Sequence, residues 1–166
     1  KTAIITGGGS GFGASMADLF AKNGAKVIVA DIDLDSARKV AEGTGGYALE
    51  VDVSNAKSVE QMKIDIFKEH EKVDIVVNNA GTTHLPAPME TIEEDEFDRV
   101  FNVNCKSVYL TAKHFVPHFK ENKSGVILNI ASTAGVSPRP NLNWYNSSKG
   151  WMILASKTMA VELAPF

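Results

Sequence analysis

Short apolar runs alternate five times with segments whose apolar residues recur at helical spacing, and this alternation leaves few architectures open. Thr2 to Thr6 is a first β-rich run, Phe12, Met16, Leu19 and Phe20 follow at helical spacing, and Lys26 to Ala30 is a second run. The pattern continues with a helix from about Leu34, the run Gly46 to Val51, a helix carrying Val59, Met62, Ile66 and Phe67, and the run from Val73 to Asn79. A long helical region from about Ile92 to Lys120, the run Gly125 to Ser132 and a helix from about Trp144 to Leu163 complete it. Strands joined by helices run parallel, so the spacing predicts an α/β fold: a parallel sheet, doubly wound, with helices on both faces.

With 166 residues, 44% of them apolar and 22% charged, the chain is expected to form a single domain, residues 1–166. A net charge of −3 with Lys and Arg scattered singly offers no basic stripe, which argues against a nucleic-acid partner. Cys105 is the single cysteine, so no internal disulfide forms, and no apolar run approaches the roughly 20 residues of a membrane span. The expectation is a soluble protein of a reducing, cytoplasmic compartment. The chain opens on Lys1, and Pro165 follows a helical pattern at the point where a connection normally begins. We therefore expect a domain incomplete at its C-terminus, lacking its last strands, and incomplete at its N-terminus.

The stretch Thr6 to Gly13, "TGGGSGFG", lies between the first strand and the first helix. Glycines there let the backbone turn tightly and approach a pyrophosphate, whose charge suits the free amides of a helix N-terminus. The alternative is a glycine-rich turn serving close strand and helix packing. Asp31 ends the second strand 20 residues after Gly11, about the offset at which a carboxylate meets a ribose 2′-hydroxyl. A carboxylate there repels a 2′-phosphate, and no Lys or Arg lies in the loop or directly after Asp31. NAD is favoured over NADP. The competing reading is an acidic turn of Asp31, Asp33 and Asp35 that caps the next helix, a role better suited to Asp33 or Asp35.

Taken together, Thr6-Gly7-x-x-x-Gly11-x-Gly13, Asp52-Val53 after the third strand, Asn78 to Gly81 ("NNAG") after the fourth, Asn104, Ser132 after the fifth and Tyr145-x-x-x-Lys149 resemble the short-chain dehydrogenase/reductase family, of the simple single-domain reductase type. The resemblance covers essentially the whole chain, in order, and implies a Rossmann-type fold that binds a nicotinamide dinucleotide. It assigns cofactor contacts to Thr6, Gly7, Ser10, Gly11, Phe12, Gly13, Asp31, Ile32, Asp52, Val53, Asn79, Ala80, Gly81, Tyr145 and Lys149. Asp52 also reads as a helix cap, and "NNAG" as an ordinary turn.

The same resemblance assigns catalysis to Asn104, Ser132, Tyr145 and Lys149. Tyr145 would exchange a proton with the substrate oxygen, Ser132 would hold that oxygen, and Asn104 would help order a proton-relay water. A free phenol titrates near 10 and is a poor base at neutral pH, so positive charge must stand close. Lys149, at i+4 on the same helical face, can supply it. Without that context Asn104, on the apolar stripe of Phe97, Val100 and Phe101, is a satisfied core asparagine, and Ser132 a turn residue.

His84 reads as a surface-loop histidine, His70, His114 and His118 as solvated, and Arg139 as an exposed loop arginine that could meet an acidic substrate. No pair of histidines has metal-ligand spacing, so no metal site is expected. The last helix is apolar on more than one side, from Trp151 to Leu154 with small residues at Gly150, Ala155 and Ala160, so a homodimer or homotetramer is expected. The leading function is an NAD-dependent oxidoreductase of secondary alcohols and ketones. The rivals are a catalytically inactive NAD-binding module, and an epimerase or dehydratase on the related scaffold.

Overall fold

The structure, a computed structural model, describes residues 1–166. Five strands form one parallel sheet in the order β3-β2-β1-β4-β5: β1 (Thr2–Thr6), β2 (Lys26–Asp31), β3 (Tyr47–Glu50), β4 (Ile75–Asn78) and β5 (Val126–Asn129). Ile4 pairs with Ile28 on one side and with Val76 on the other, so the most apolar runs occupy the centre. All five runs read from the sequence are strands, and the doubly wound α/β expectation holds.

The helices are α1 (Gly11–Lys22), α2 (Leu34–Thr44), α3 (Ala56–Glu69), α4 (Glu94–Phe101), α5 (Ser107–Asn122) and α6 (Asn143–Leu163). Their starts follow local chemistry. The Asp33 carboxylate accepts from the amides of Asp35 and Ser36 to cap α2, and Asn55 accepts from Lys57 and Ser58 to cap α3. Asp52 instead closes the turn before α3, accepting from the Ser54 amide at 2.9 Å.

Alternate side chains of the strands feed two cores. Ile4, Ile28, Ala30 and Val76 pack with Val59, Met62 and Ile66 of α3 and with Leu110, Phe115 and Phe119 of α5. Ile5, Val27, Val29 and Val77 pack with Ala17 of α1 and with Ala37 and Ala41 of α2. β5 forms one sheet edge, with Val126 and Leu128 exposed.

The long helical region expected from Ile92 to Lys120 is interrupted. Between α4 and α5, residues Asn102–Lys106 form a π turn, which inserts an extra residue into the helical ladder and buries both Asn104 and Cys105. Two histidine readings are corrected by packing. The His118 ring sits 4.8 Å from that of Phe67, and its Nε2 accepts from the Val73 amide at 3.3 Å. His70 lies edge-on to Tyr47 with its Nε2 enclosed. Both rings cover apolar surface at helix ends, which solvation would leave bare.

Candidate active site

β1 and β4 are neighbours whose following helices leave in opposite directions, and a cleft of about 370 Å³ opens beyond their carboxyl ends. Gly7, Ser10, Gly11, Phe12, Asp31, Ile32, Asp52, Val53, Asn79, Ala80 and Gly81, all expected from the sequence, line it. Val51 and Val103 line it as well and carried no motif.

Thr6, Gly13, Tyr145 and Lys149, expected as cofactor contacts, are not part of this lining. Thr6 lies behind the loop: its hydroxyl donates to the Val77 carbonyl and accepts from the amides of Asn79 and Ala80 at 3.1 Å each. Gly13 serves packing, since a Cβ there would stand 2.1 Å from the Gly7 carbonyl oxygen. Asn79 braces the same loop, its Nδ2 donating to the carbonyls of Thr6 and Gly7 at 3.0 Å. The glycine loop and "NNAG" are therefore one rigid assembly.

The cleft suits a dinucleotide on its own chemistry. Ser10 makes no side-chain cap on α1, the first turn carries no acidic residue, and Gly11 (φ 50°) has open space where a Cβ would stand. The uncapped amides and the positive end of α1 thus face a space that admits an anion. Asp31 accepts from the Gly9 amide at 2.9 Å and from the Asp33 amide at 3.1 Å, which fixes its carboxylate at the cleft wall.

Beside cleft-lining Gly81, Asn104 and Lys149 come together, and Asn104 reaches Ser148 of α6. Asn104 is fully enclosed: its Oδ1 accepts from the Thr82 amide at 2.8 Å, and its Nδ2 donates to the Thr82 carbonyl and to Ser148 Oγ, both at 2.9 Å. Ser148 in turn donates to the Tyr145 carbonyl at 2.7 Å. Lys149 Nζ donates to the Ile130 carbonyl at 2.9 Å and would be 3.4 Å from a Cβ on Gly81. Only 5% exposed, Lys149 has its pKa lowered from the ordinary lysine value by burial. Burial also pushes the Cys105 thiol up to about 11, an effect the Lys149 charge opposes.

Ser132 starts the 3-10 turn Thr133–Gly135, and its Oγ accepts from the Ala134 amide at 3.1 Å, which leaves the hydroxyl hydrogen for another partner. That turn lies against α6, since a Cβ on Gly135 would be 2.7 Å from the Lys149 carbonyl carbon. Tyr145 is half-buried, one turn before Lys149.

His84 departs from its sequence reading, being 1% exposed rather than on the surface. The loop is pinned at Thr82 and Thr83, and just beyond them His84 turns inward while Leu85, 84% exposed, turns outward. Arg139 is exposed, as expected, and its carbonyl accepts from Asn146 Nδ2 at 2.8 Å. No cluster of three metal-ligating side chains occurs, and no helix is long and apolar enough to cross a membrane.

Comparison with known proteins bears on this arrangement. The model of a family described as short chain dehydrogenase matches residues 1–166. The chain is 44% identical to 4-formylbenzenesulfonate dehydrogenase of Comamonas testosteroni over 169 residues, which is 99% of this chain and 67% of that protein. It is 36% identical to a 3-oxoacyl-[acyl-carrier-protein] reductase of Thermotoga maritima, covering 99% of this chain and 68% of that one. Among solved structures, a 3-ketoacyl-(acyl-carrier-protein) reductase from Brucella melitensis complexed with NADH superposes with a TM-score of 0.97 at 47% identity, covering 99% and 71% of the two chains. The chain spans about two thirds of the length of the curated relatives it matches.

Proposed function

The chain belongs to the short-chain dehydrogenase family, and from that premise we propose that it is an NAD-dependent oxidoreductase interconverting a secondary alcohol and a ketone. The observation that carries the reading is Lys149, an enclosed cation beside cleft-lining Gly81 and one helical turn after Tyr145.

A bound nicotinamide supplies the carbon that accepts or gives hydride. In oxidation, Tyr145 takes the hydroxyl proton of the alcohol as its carbon–oxygen bond becomes a carbonyl; in reduction it returns the proton to the carbonyl oxygen. Ser132 spends its free hydroxyl hydrogen on the same oxygen, which orients it against Tyr145. Lys149 has one protein acceptor, Ile130, and its other ammonium hydrogens serve ribose hydroxyls while its charge favours the phenolate. Asn104 is held by Thr82 and Ser148, so in this proposal it fixes the site's wall and, with the second lone pair of its Oδ1 beside Gly81, helps order the water of the proton relay. Asp31 at the cleft wall favours NAD, because a 2′-phosphate would stand against its carboxylate.

Two further parts of the proposal rest on the surface. Val108, Tyr109 and Ala112 of α5 face Trp151, Leu154, Ala155 and Met159 of α6 across an apolar groove, and Tyr109 and Leu154 are more than half exposed. This face supports a homodimer or homotetramer, read by sedimentation against a Leu154→Glu variant. The free Cys105 thiol fits a reducing compartment such as the cytoplasm. The activity is tested by following NADH absorbance with a panel of secondary alcohols, 3-hydroxyacyl esters and aromatic alcohols. Reduction of NAD by at least one member supports the reading, and none across the panel with demonstrated NADH binding contradicts it.

A further inference from the structure

We infer that Arg99 is a positioning residue for the proposed reaction: it fixes the Thr82–Thr83 wall on which Asn104 is seated, and so holds Asn104, Ser148 and Tyr145 in register. Its kinetic part rests on the oxidoreductase reading, and its structural part rests on geometry alone.

Each nitrogen of the Arg99 guanidinium has a partner. NH2 donates to the Thr83 carbonyl at 2.9 Å, NH1 to Thr82 Oγ1, and Nε and NH2 to Glu96 Oε2 and Oε1 at 2.8 and 2.7 Å. Thr82 is therefore gripped twice, by Arg99 of α4 through its side chain and by Asn104 of the π turn through its amide and carbonyl. It directly follows Gly81, where a Cβ would stand 3.4 Å from Lys149 Nζ and 3.5 Å from Asn104 Oδ1. A shift of Thr82 moves Asn104, and through Ser148 the backbone of Tyr145.

Global stability does not explain this use of an arginine. Side chains 45% and 35% exposed make a surface ion pair, and such pairs contribute little to folding. A lysine would satisfy Glu96 as well, but three nitrogens aimed at three partners need the planar fork. The next anchor along the loop beyond Thr83 comes only at Ala87, whose amide donates to the Asn141 carbonyl at 3.0 Å; between them the His84 side chain bonds only its neighbour's carbonyl, Leu85 O, through Nδ1, and its Nε2 has no partner. The Glu96 carboxyl is held below its ordinary pKa first by the Arg99 hydrogen bond, so the pair is formed across the neutral range.

The test compares wild type with Arg99→Ala, Arg99→Lys and Glu96→Gln. Amide exchange at Thr82 should accelerate about tenfold or more in Arg99→Ala, with Asn79 and Ala80, bonded to Thr6, unchanged. Turnover should fall about tenfold or more while NADH affinity stays within about twofold, and Arg99→Lys should lie between. Guanidinium at tens of millimolar, roughly, should restore part of the loss in Arg99→Ala, since the site opens to solvent. Unchanged exchange at Thr82 overturns the inference whether or not the enzyme turns over. Parallel losses of NADH affinity, melting temperature and turnover also overturn it, because they describe a merely structural residue. Failure of the underlying reading has a different signature: wild type itself binds no NADH.

Discussion

Asn104 brackets Thr82, accepting from its amide at 2.8 Å and donating to its carbonyl at 2.9 Å, as a neighbouring β-strand would. Replacing Asn104 with Leu keeps the volume but leaves two backbone groups and Ser148 Oγ without these partners. Unpaired buried groups cost about 1–3 kcal/mol each, so a loss of about 3 kcal/mol in urea denaturation is expected. Turnover should fall with it, and Asn104→Asp, which keeps the acceptor alone, should recover part of the stability.

The two ends of the glycine loop should respond differently to a methyl group. At Gly13 a Cβ meets the Gly7 carbonyl at 2.1 Å, and backbone cannot yield cheaply, so Gly13→Ala should cost about 2–3 kcal/mol and cofactor affinity. At Gly11 nothing lies within 4 Å, and only the positive φ of 50° is strained, so Gly11→Ala should cost about 1 kcal/mol. Equal midpoints for the two variants would contradict the packing role of Gly13.

These contrasts show what the sequence carries and what it does not. The five strands are legible because each is a short apolar run between helical periodicities, and Asn104 is legible as a buried amide from its place on the Phe97–Phe101 stripe. The π turn is not, because spacings of 3, 4 and 7 fit an ordinary helix as well. Thr6 and Gly13 belong to a glycine motif whose members look alike in sequence, and only the fold separates those that line the cleft from those that brace it. Val51 and Val103 line the cleft without a chemical signature. His84 is buried, and Arg99 reaches Thr83 and Thr82 across 16 and 17 residues of chain, beyond the range of any local pattern.

Asp31 should govern cofactor choice. Asp31→Ser removes a carboxylate that the Gly9 and Asp33 amides hold in place, at a cost of about 1 kcal/mol in stability. The ratio of kcat/KM for NADP to that for NAD should rise about tenfold or more as the repulsion disappears. An unchanged ratio contradicts the assignment.

Lys149 and Cys105 should give stability opposite slopes at alkaline pH. The folded pKa of Lys149 lies below 10.5, so between the two values the unfolded chain binds more protons and stability rises with pH; below the folded value the penalty is fully present. The folded pKa of Cys105, about 11, lies above its ordinary 9.0, so stability falls as pH rises through that window. In a Cys105→Ala background the urea midpoint should therefore climb with pH relative to Lys149→Met in the same background, as pH approaches 10.5. Direct NMR titration of Nζ should place its pKa below 10.5.

The central claim is that Tyr145 carries the proton at a site whose nucleotide cleft forms independently of it. The most direct measurement is Tyr145→Phe, assayed for both NADH binding by fluorescence and turnover of whichever alcohol the wild type oxidises. The account predicts NADH affinity within about twofold of wild type and turnover reduced by about three orders of magnitude or more. Retained turnover with intact NADH binding would contradict it.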